Sequence, residues 1–500
     1  MKICFLLQRR FAYIGHALAL ILKEKYGVTD FCGYVSLRSG LEFLKSQKDI
    51  QYTGLLLDEN VHNQYKDEPL DLAYLKELEK NYGLPNLWRY IEMDRTIRHG
   101  QLVREYPHDA SPYSHEEMMR LMQVKIKAIL KFLKEEKPDV IIFSVIADLS
   151  ALFLYQAAKK FGIKILLIKP SRIQSLHTLT EDYRYYSHVD KTFNELQNGE
   201  MALPEHQLLA ENFLKNFRAK PSPYSYRDTP AAKPTTRKKQ FAFLRPRQAI
   251  VSLKWTAQIF TDYFRNKYRQ DPYTVKPWHY IIDTIKRKAR VFRGFDDLYD
   301  EPNFNEYYVF FPLQAEPEMD ITLPSQFYTD QNWLIQQVAR ALPIYFKIYV
   351  KEHPAMYGYR PRNFYKKLKK IPNVKLIRPT ETGFNLIQNA KIITTLVGTS
   401  GWEGMLLKKP VITFGDVFYN KLPMAKKCDN INDLPWLIKE QLENFIYDEK
   451  SLVNYITAIY KESADVDLIK IWEMEGGSQT EKHKEQLSAL ANLIASKLNP

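Results

Sequence analysis

Short apolar runs alternate with stretches of helical spacing in both flanks of the chain. Ile3-Cys4-Phe5-Leu6-Leu7 is unbroken and apolar, the form a strand takes when both of its faces are buried. Behind it, Ala17, Leu18, Leu20, Ile21 and Leu22 keep helical spacing up to Gly27. Leu121 to Leu133 shows the same spacing with Lys on the opposite face, and Pro138-Asp139 leads into the apolar run Val140 to Phe143. A helix is expected from Leu149 to Phe161, stopped by Gly162, and Ile163 to Ile168 is the next strand. Strand, helix and strand joined by short Gly- or Pro-marked turns predict a parallel α/β sheet. The pattern returns with strands at Tyr307 to Phe311, Ile344 to Val350, Val374 to Ile377, Ile392 to Leu396 and Val411 to Phe414. Gln331 to Leu342 is a helix between the first two, and Pro435 to Tyr460 reads as helical. The α/β fold class follows, with two sheet domains at 1–217 and 306–475, an insert at 218–305 and a C-terminal helix at 476–500.

Composition narrows the classes. With 500 residues, 45% hydrophobic and 26% charged, the chain is too long for one compact core and too apolar for wholesale disorder. No run approaches the ~20 apolar residues that span a bilayer. The N-terminal run meets Gln8-Arg9-Arg10 too early for a signal peptide and is expected to be a strand. Cys4, Cys32 and Cys428 stand far apart without a CxxC pair, an expectation of a reducing cytoplasm without disulfides or a zinc site.

Charge is unevenly placed. Of 72 basic and 58 acidic residues, 19 basic and four acidic ones fall between Arg218 and Arg293. The remainder, 53 basic and 54 acidic, is nearly neutral. The segment opens with Pro221, Pro223, Pro230 and Pro234 around Arg237-Lys238-Lys239, which suits an extended linker. Two helical stretches follow, Phe241 to Phe264 and Tyr268 to Phe292, mixing Trp255, Phe260, Tyr263, Phe264, Trp278 and Tyr280 with Lys and Arg. That mixture over 237–293 suits the anionic inner-leaflet surface of a cell membrane; the plainer alternative is a solvated linker with helices docked on the protein. No RNA- or DNA-binding signature accompanies it, so nucleic acid is not an expected partner.

Ligands of parallel sheets bind beyond the carboxyl ends of the strands, and in the second half those ends carry chemistry. Tyr349-Val350 runs into Lys351-Glu352-His353-Pro354, where a His can donate to a phosphate or exchange a proton. Thr394-Thr395-Leu396 runs into Val397-Gly398-Thr399-Ser400-Gly401-Trp402-Glu403-Gly404. Small residues opening a helix let backbone N–H groups approach an anion, and Glu403 can accept from ribose hydroxyls. The alternative there is a capping box of Ser400 with Glu403. Tyr308 to Phe311 ends in Pro312-Leu313-Gln314-Ala315-Glu316-Pro317-Glu318, which brings Gln314 and the two glutamates to the same edge, and another strand ends in Gly415-Asp416. Neither GxGxxG nor GxxxxGK[ST] is present.

Lys351-Glu352-His353-Pro354-Ala355-Met356, Asn373 to Ile377, Gly398 to Gly404 and Lys409-Pro410-Val411-Ile412-Thr413-Phe414-Gly415, in this order and spacing, resemble the capsule-polysaccharide biosynthesis family. That family includes GT-B-type glycosyltransferases related to the bacterial β-Kdo transferases. The resemblance covers roughly residues 306–420. It implies a GT-B-like fold, with two Rossmann-like domains facing a central cleft, and transfer of a sugar from a CMP- or UDP-linked donor to a growing surface polysaccharide or glycolipid. It places His353 and Pro354, and Gly398, Thr399, Ser400 and Gly401, at the donor phosphates, with Lys351 beside them as a further donor-binding candidate, and it implies no cofactor and no metal. The expected setting is cytoplasmic and peripheral to the membrane, with other glycan-assembly proteins as further candidate partners. Kdo-transferring members carry a Glu-Asp-Gly stretch late in the first domain, where this chain has Ile168-Lys169-Pro170-Ser171-Arg172-Ile173, without a carboxylate.

Catalytic candidates in the first half rest on position. Asp148 follows a strand and opens a helix, a position that suits a base or nucleophile; the plainer alternative is a helix N-terminal acid favoured by the dipole. His16 follows Gly15 near the first strand, and Arg172 at another strand end suits a diphosphate or an anionic acceptor. Glu316 is the candidate from the second domain. A nucleotide-sugar 2-epimerase and a non-catalytic nucleotide-binding scaffold are the competing readings.

Overall fold

The computed structural model describes residues 1–100, 111–223, 245–473 and 483–498. Two parallel sheets form its frame. The strands of the first sheet are β1 (Lys2–Leu7), β2 (Asp30–Val35), β3 (Tyr52–Leu57), β4 (Val140–Phe143), β5 (Lys164–Pro170) and β6 (Leu176–Thr180). Those of the second are β7 (Tyr308–Pro312), β8 (Lys347–Lys351), β9 (Val374–Ile377), β10 (Ile392–Thr395), β11 (Val411–Thr413) and β12 (Ala425–Lys427). A last strand, β13 (Ser463–Asp465), returns to the first sheet. The helices used below are α1 (Phe11–Tyr26), α2 (His115–Glu136), α3 (Leu149–Lys160), α4 (Ser187–Gln197), α5 (Pro204–Ala219), α6 (Pro246–Arg265), α7 (Pro277–Arg293), α8 (Thr399–Leu406), α9 (Glu449–Lys461) and α10 (Lys484–Leu498).

The first sheet runs β13-β6-β5-β4-β1-β2-β3 and the second β12-β11-β10-β7-β8-β9. β1 to β5 are mutually parallel, and only β6 is antiparallel to its neighbours; the second sheet is parallel throughout. Strands at the centre have no exposed side: Ile3 to Leu7 and Ile141 to Phe143 are fully buried, which is why their sequences read as solid apolar runs. Gly27 ends α1 in the left-handed region (φ 66°), donating back to Leu22 and Lys23, as helix-ending glycines do.

Two crossings depart from the boundaries expected above. α4 and α5 leave the first sheet and pack on α9, so Val189, Phe193, Leu214 and Phe217 share a core with Phe418, Tyr455 and Ile459. After α9 the chain goes back. β13 pairs with β6, and α10 lies on α1 with Leu487, Leu490 and Ile494 in the core of Ile3, Phe5 and Leu18. The second domain therefore takes in residues from about 187, while 463–473 join 483–498 on the first. The cause is apolar area: α4 and α5 cover the second domain, and α10 covers a face of α1 that would otherwise meet water.

The basic insert is a hairpin of two helices. α6 buries no residue among its neighbours, and α7 buries only Pro277 and Val291. Residues 237–244 of the expected membrane segment lie outside the described residues.

Candidate functional site

The carboxyl ends of the first sheet gather acids. Asp58 follows β3 and is fully enclosed. Lys125 Nζ, from α2, lies 2.7 and 2.6 Å from its two oxygens. Ser150 Oγ donates to it at 2.8 Å, Tyr273 OH of the insert at 2.6 Å, and Tyr34 OH also donates. Burial alone raises a carboxyl pKa, but the Lys125 charge and these donors outweigh it and hold Asp58 near 2. Asp94 accepts from the backbone N–H groups of Thr96, Ile97 and Leu149, and burial still raises it. Asp148 caps α3 by accepting from Ala151 N at 2.8 Å and from Gln8 Nε2 at 2.8 Å. Burial first, then the charges of Asp94 and Asp58, lift it to about 6. Asp148 is thus a carboxyl that gains and loses its proton near neutrality.

The second sheet presents backbone instead. Gly398 is the N-cap of α8 and no side chain caps it, so Ser400 and Glu403 do not form the capping box. Gly398 N donates to Thr395 Oγ1 at 3.1 Å. A Cβ on Gly398 would meet Gln314 Nε2 at 2.5 Å, and one on Gly401 would meet Tyr419 OH at 2.4 Å. A side chain at either glycine would push on Gln314 or Tyr419, and Tyr419 OH donates to Gly398 O at 2.7 Å. Gln314 acts in this support, donating to Thr395 Oγ1. Glu403 lies beyond the cap with its pKa lifted by burial to about 7.

Two adjoining cavities meet at α8. The cleft between the domains, about 530 Å³, is lined from the first domain by Ser144 to Ala147 and Lys169, Pro170 and Arg172, and from the second by Glu318, Val397, Thr399 and Asp416. Asp416 there accepts from Tyr185 OH at 3.1 Å and pairs with Lys427 at 2.7 Å. The other cavity, about 330 Å³, is lined by Arg172, Asn216, Phe217, Lys220, Thr399, Trp402 and Glu403 among others. Arg172 and Thr399 line both, and Arg172 has φ 65°, a left-handed backbone that non-glycine residues seldom adopt. Trp402 is 2% exposed and its indole N–H is buried without a partner.

Arg172, Thr399 and Glu403 are therefore brought together, and Asp148 directly follows the cleft-lining Ala147. Other candidates stand elsewhere. His16 is in the second turn of α1, with Nδ1 3.1 Å from the OH of Tyr52, the first residue of β3. It is at the amino edge of the sheet, away from the cleft, and burial lowers its pKa. The reason is helical: α1 already begins at Phe11, so position 16 has turned toward Phe43 and Tyr52. Glu316 is spoken for by the enclosed Arg360, which also pairs with Glu352, and by Gln331; it is Glu318 that lines the cleft. Lys351 is buried at the end of β8, and His353 is exposed on the turn that follows, its Nδ1 accepting from Ala355 N at 3.2 Å with Pro354 opening the turn. Neither lines the two cavities. The chain reading missed Asp58, Asp94 and Lys125; the run Leu55-Leu56-Leu57 into Asp58 was the available signal.

A likeness to a known family covers the helix α5, the insert and most of the second domain. Residues 204–446 match the family of the capsule polysaccharide biosynthesis protein. The matched stretch starts at the first residue of α5, one of the helices that crosses to the second domain. Protein FixF of Sinorhizobium fredii is 34% identical over 120 residues, 23% of this chain and 27% of that one, so the match spans about a quarter of that curated relative. Among solved structures, KpsC of Thermosulfurimonas dismutans, a β-Kdo 2,4 transferase, is similar at 16% identity and TM-score 0.38, over 67% of this chain and 83% of that one. The UDP-GlcNAc 2-epimerase of Methanocaldococcus jannaschii is similar at 14% identity and TM-score 0.26, over 94% and 99%.

Proposed function

We propose that the protein is a GT-B-type glycosyltransferase of surface-polysaccharide synthesis. The observation that carries this reading is the cleft lined by Arg172 and by Thr399 at the uncapped start of α8, with Ala147, the chain neighbour of Asp148, on its wall from the first domain. The donor, a CMP- or UDP-linked sugar, lies along α8. Its phosphates meet the helix start and Arg172, and its ribose meets Glu403 in the smaller cavity. Phosphate at a helix N-terminus is favoured by the helix dipole and the unsatisfied N–H groups. The acceptor, a glycan or glycolipid hydroxyl, enters from the first domain. Its oxygen attacks the anomeric carbon, the bond from that carbon to the phosphate oxygen breaks, and Asp148 takes the hydroxyl proton. The nucleotide leaves with the bonding pair, its charge held by Arg172 and α8. This assigns charge stabilisation to the chain itself, so chelation with EDTA is expected to leave the rate unchanged. The setting that fits is the cytoplasmic face of a membrane.

The test is calorimetric binding of CMP, UDP, GDP and dTDP to the wild type, Glu403→Gln and His353→Ala. One nucleotide is expected to bind at micromolar strength and to weaken about tenfold, ~1.4 kcal/mol, in Glu403→Gln. Wild-type affinity should also strengthen as pH rises through about 7, where Glu403 becomes a carboxylate and a better acceptor. His353→Ala reports whether the turn after β8 reaches the phosphates. If none of the four binds, the transferase reading falls.

A further inference from the structure

The hairpin of α6 and α7 is already partnered on some of its faces. On α7, Arg287 Nη1 reaches Tyr359 OH at 3.0 Å, and Arg290 donates to the Tyr359 carbonyl. Val291 fills the place a Cβ on Gly358 would take. The two helices meet through rings, Trp255 with Tyr280 and Tyr263 with Trp278. The loop between them reaches the first domain, where Asp271 pairs with Arg38 at 2.9 Å and Tyr273 donates to Asp58.

Each helix also carries an exposed apolar stripe. Ile250, Leu253, Ala257, Phe260 and Phe264 follow one another at steps of three and four on α6, and Leu253 is 70% exposed. Trp278, Ile282, Ile285, Ala289 and Phe292 do the same on α7, where Ile285 is 60% exposed. Helical spacing places each set on one face. Arg247, Lys254 and Arg265 border the first stripe and Lys286 and Arg293 the second, all exposed. Residues 245–293 carry 12 basic and three acidic side chains, and no described helix is long and apolar enough to cross a membrane.

We propose that these two stripes dock the protein on a bilayer rich in acidic phospholipid, with the helices lying in the plane of its surface. Apolar stripes alone would suit a second copy or a helical partner as well. The surrounding positive charge selects a negative surface, and the Trp and Phe side chains suit the headgroup boundary. Docking is independent of the transferase reading. Resting on that reading, it deepens it in one respect: because the loop of the hairpin is fastened to the strand ends of the first sheet, the bilayer is held beside the acceptor side, and the acceptor is lipid-linked.

Flotation of the full chain tests this with vesicles of phosphatidylcholine alone and of an equal mixture with phosphatidylglycerol, without donor or nucleotide. Co-flotation is expected only with the acidic vesicles, falling as salt rises. Two variants, Leu253→Ser with Ile285→Ser, and Arg247→Glu with Lys254→Glu and Arg265→Glu, should each lower it at least about tenfold with unchanged thermal melting. These substituted side chains are all exposed, so the fold does not depend on them. Equal flotation with both vesicle types, or variants that float as the wild type does, would overturn the proposal. So would a lipid-free dimer that requires Leu253 and Ile285.

Discussion

The strands of the first domain end in carboxylates, Asp58, Asp148 and the neighbouring Asp94, whereas β10 of the second ends in small residues whose backbone opens a helix. The second domain has acids too, but Glu316 and Glu352 are consumed by Arg360 in an enclosed cluster. Among the described residues the first domain has one enclosed cation, Lys125, and it satisfies Asp58 while leaving Asp148 with a raised pKa. The two walls thus divide the work of the proposed reaction. One holds a carboxyl with a raised pKa, and the other presents the uncapped start of α8 with Glu403 in its first turns.

That division is easiest to break at Asp148. Asp148→Asn keeps an oxygen for the α3 cap but cannot accept a proton, so turnover should fall about 10²- to 10⁴-fold while nucleotide affinity, measured calorimetrically, stays as it was. In the wild type, kcat/KM should climb as pH rises through about 6, since the carboxylate is the working form; a variant retaining that climb would remove Asp148 from the base role. The next effect is on stability. Lys125→Met leaves Asp58 enclosed without its cation, and denaturant unfolding should show a loss of about 3–5 kcal/mol. Because Asp58 has a folded pKa near 2, below its ordinary 3.8, its contribution is complete above about pH 4 and lost as pH falls toward 2. The variant and the wild type should therefore converge in acid. The smallest effect belongs to His16→Phe: steady-state turnover within twofold of wild type is expected, since position 16 faces Tyr52 at the opposite edge of the sheet.

Much of the frame could be read from the residues. β1, β4 and β5 announced themselves as apolar runs because their neighbours bury both faces, and β7 to β11 of the second sheet did so for the same reason, whereas β12, Ala425-Lys426-Lys427, did not. β2 and β3 did not: each contains a glycine, Gly33 or Gly54, and β3 is half-exposed over most of its length. β13 is three residues long and exists by pairing with β6, a partner far away in the chain. An amphipathic helix such as α5 shows its apolar face but not which domain it will cover, hence the misplaced boundary. Within the site, Thr399 and Glu403 were legible as a helix start, and Arg172 as a strand end. The Asp58–Lys125–Tyr273 group was not, because its members come from β3, α2 and the insert and share no local pattern.

The two crossings between the domains lie together at one border of the first sheet. Residues 181–186 leave β6 there, and Glu462 returns there, its carbonyl accepting from Thr178 and its carboxylate from Thr192. At the opposite border, beside β2 and β3, the insert holds Arg38 and Asp58 with one end while α7 holds Tyr359 with the other. The two domains are thus tied at both borders of the first sheet, by the chain itself at one and by the hydrogen bonds of the insert at the other.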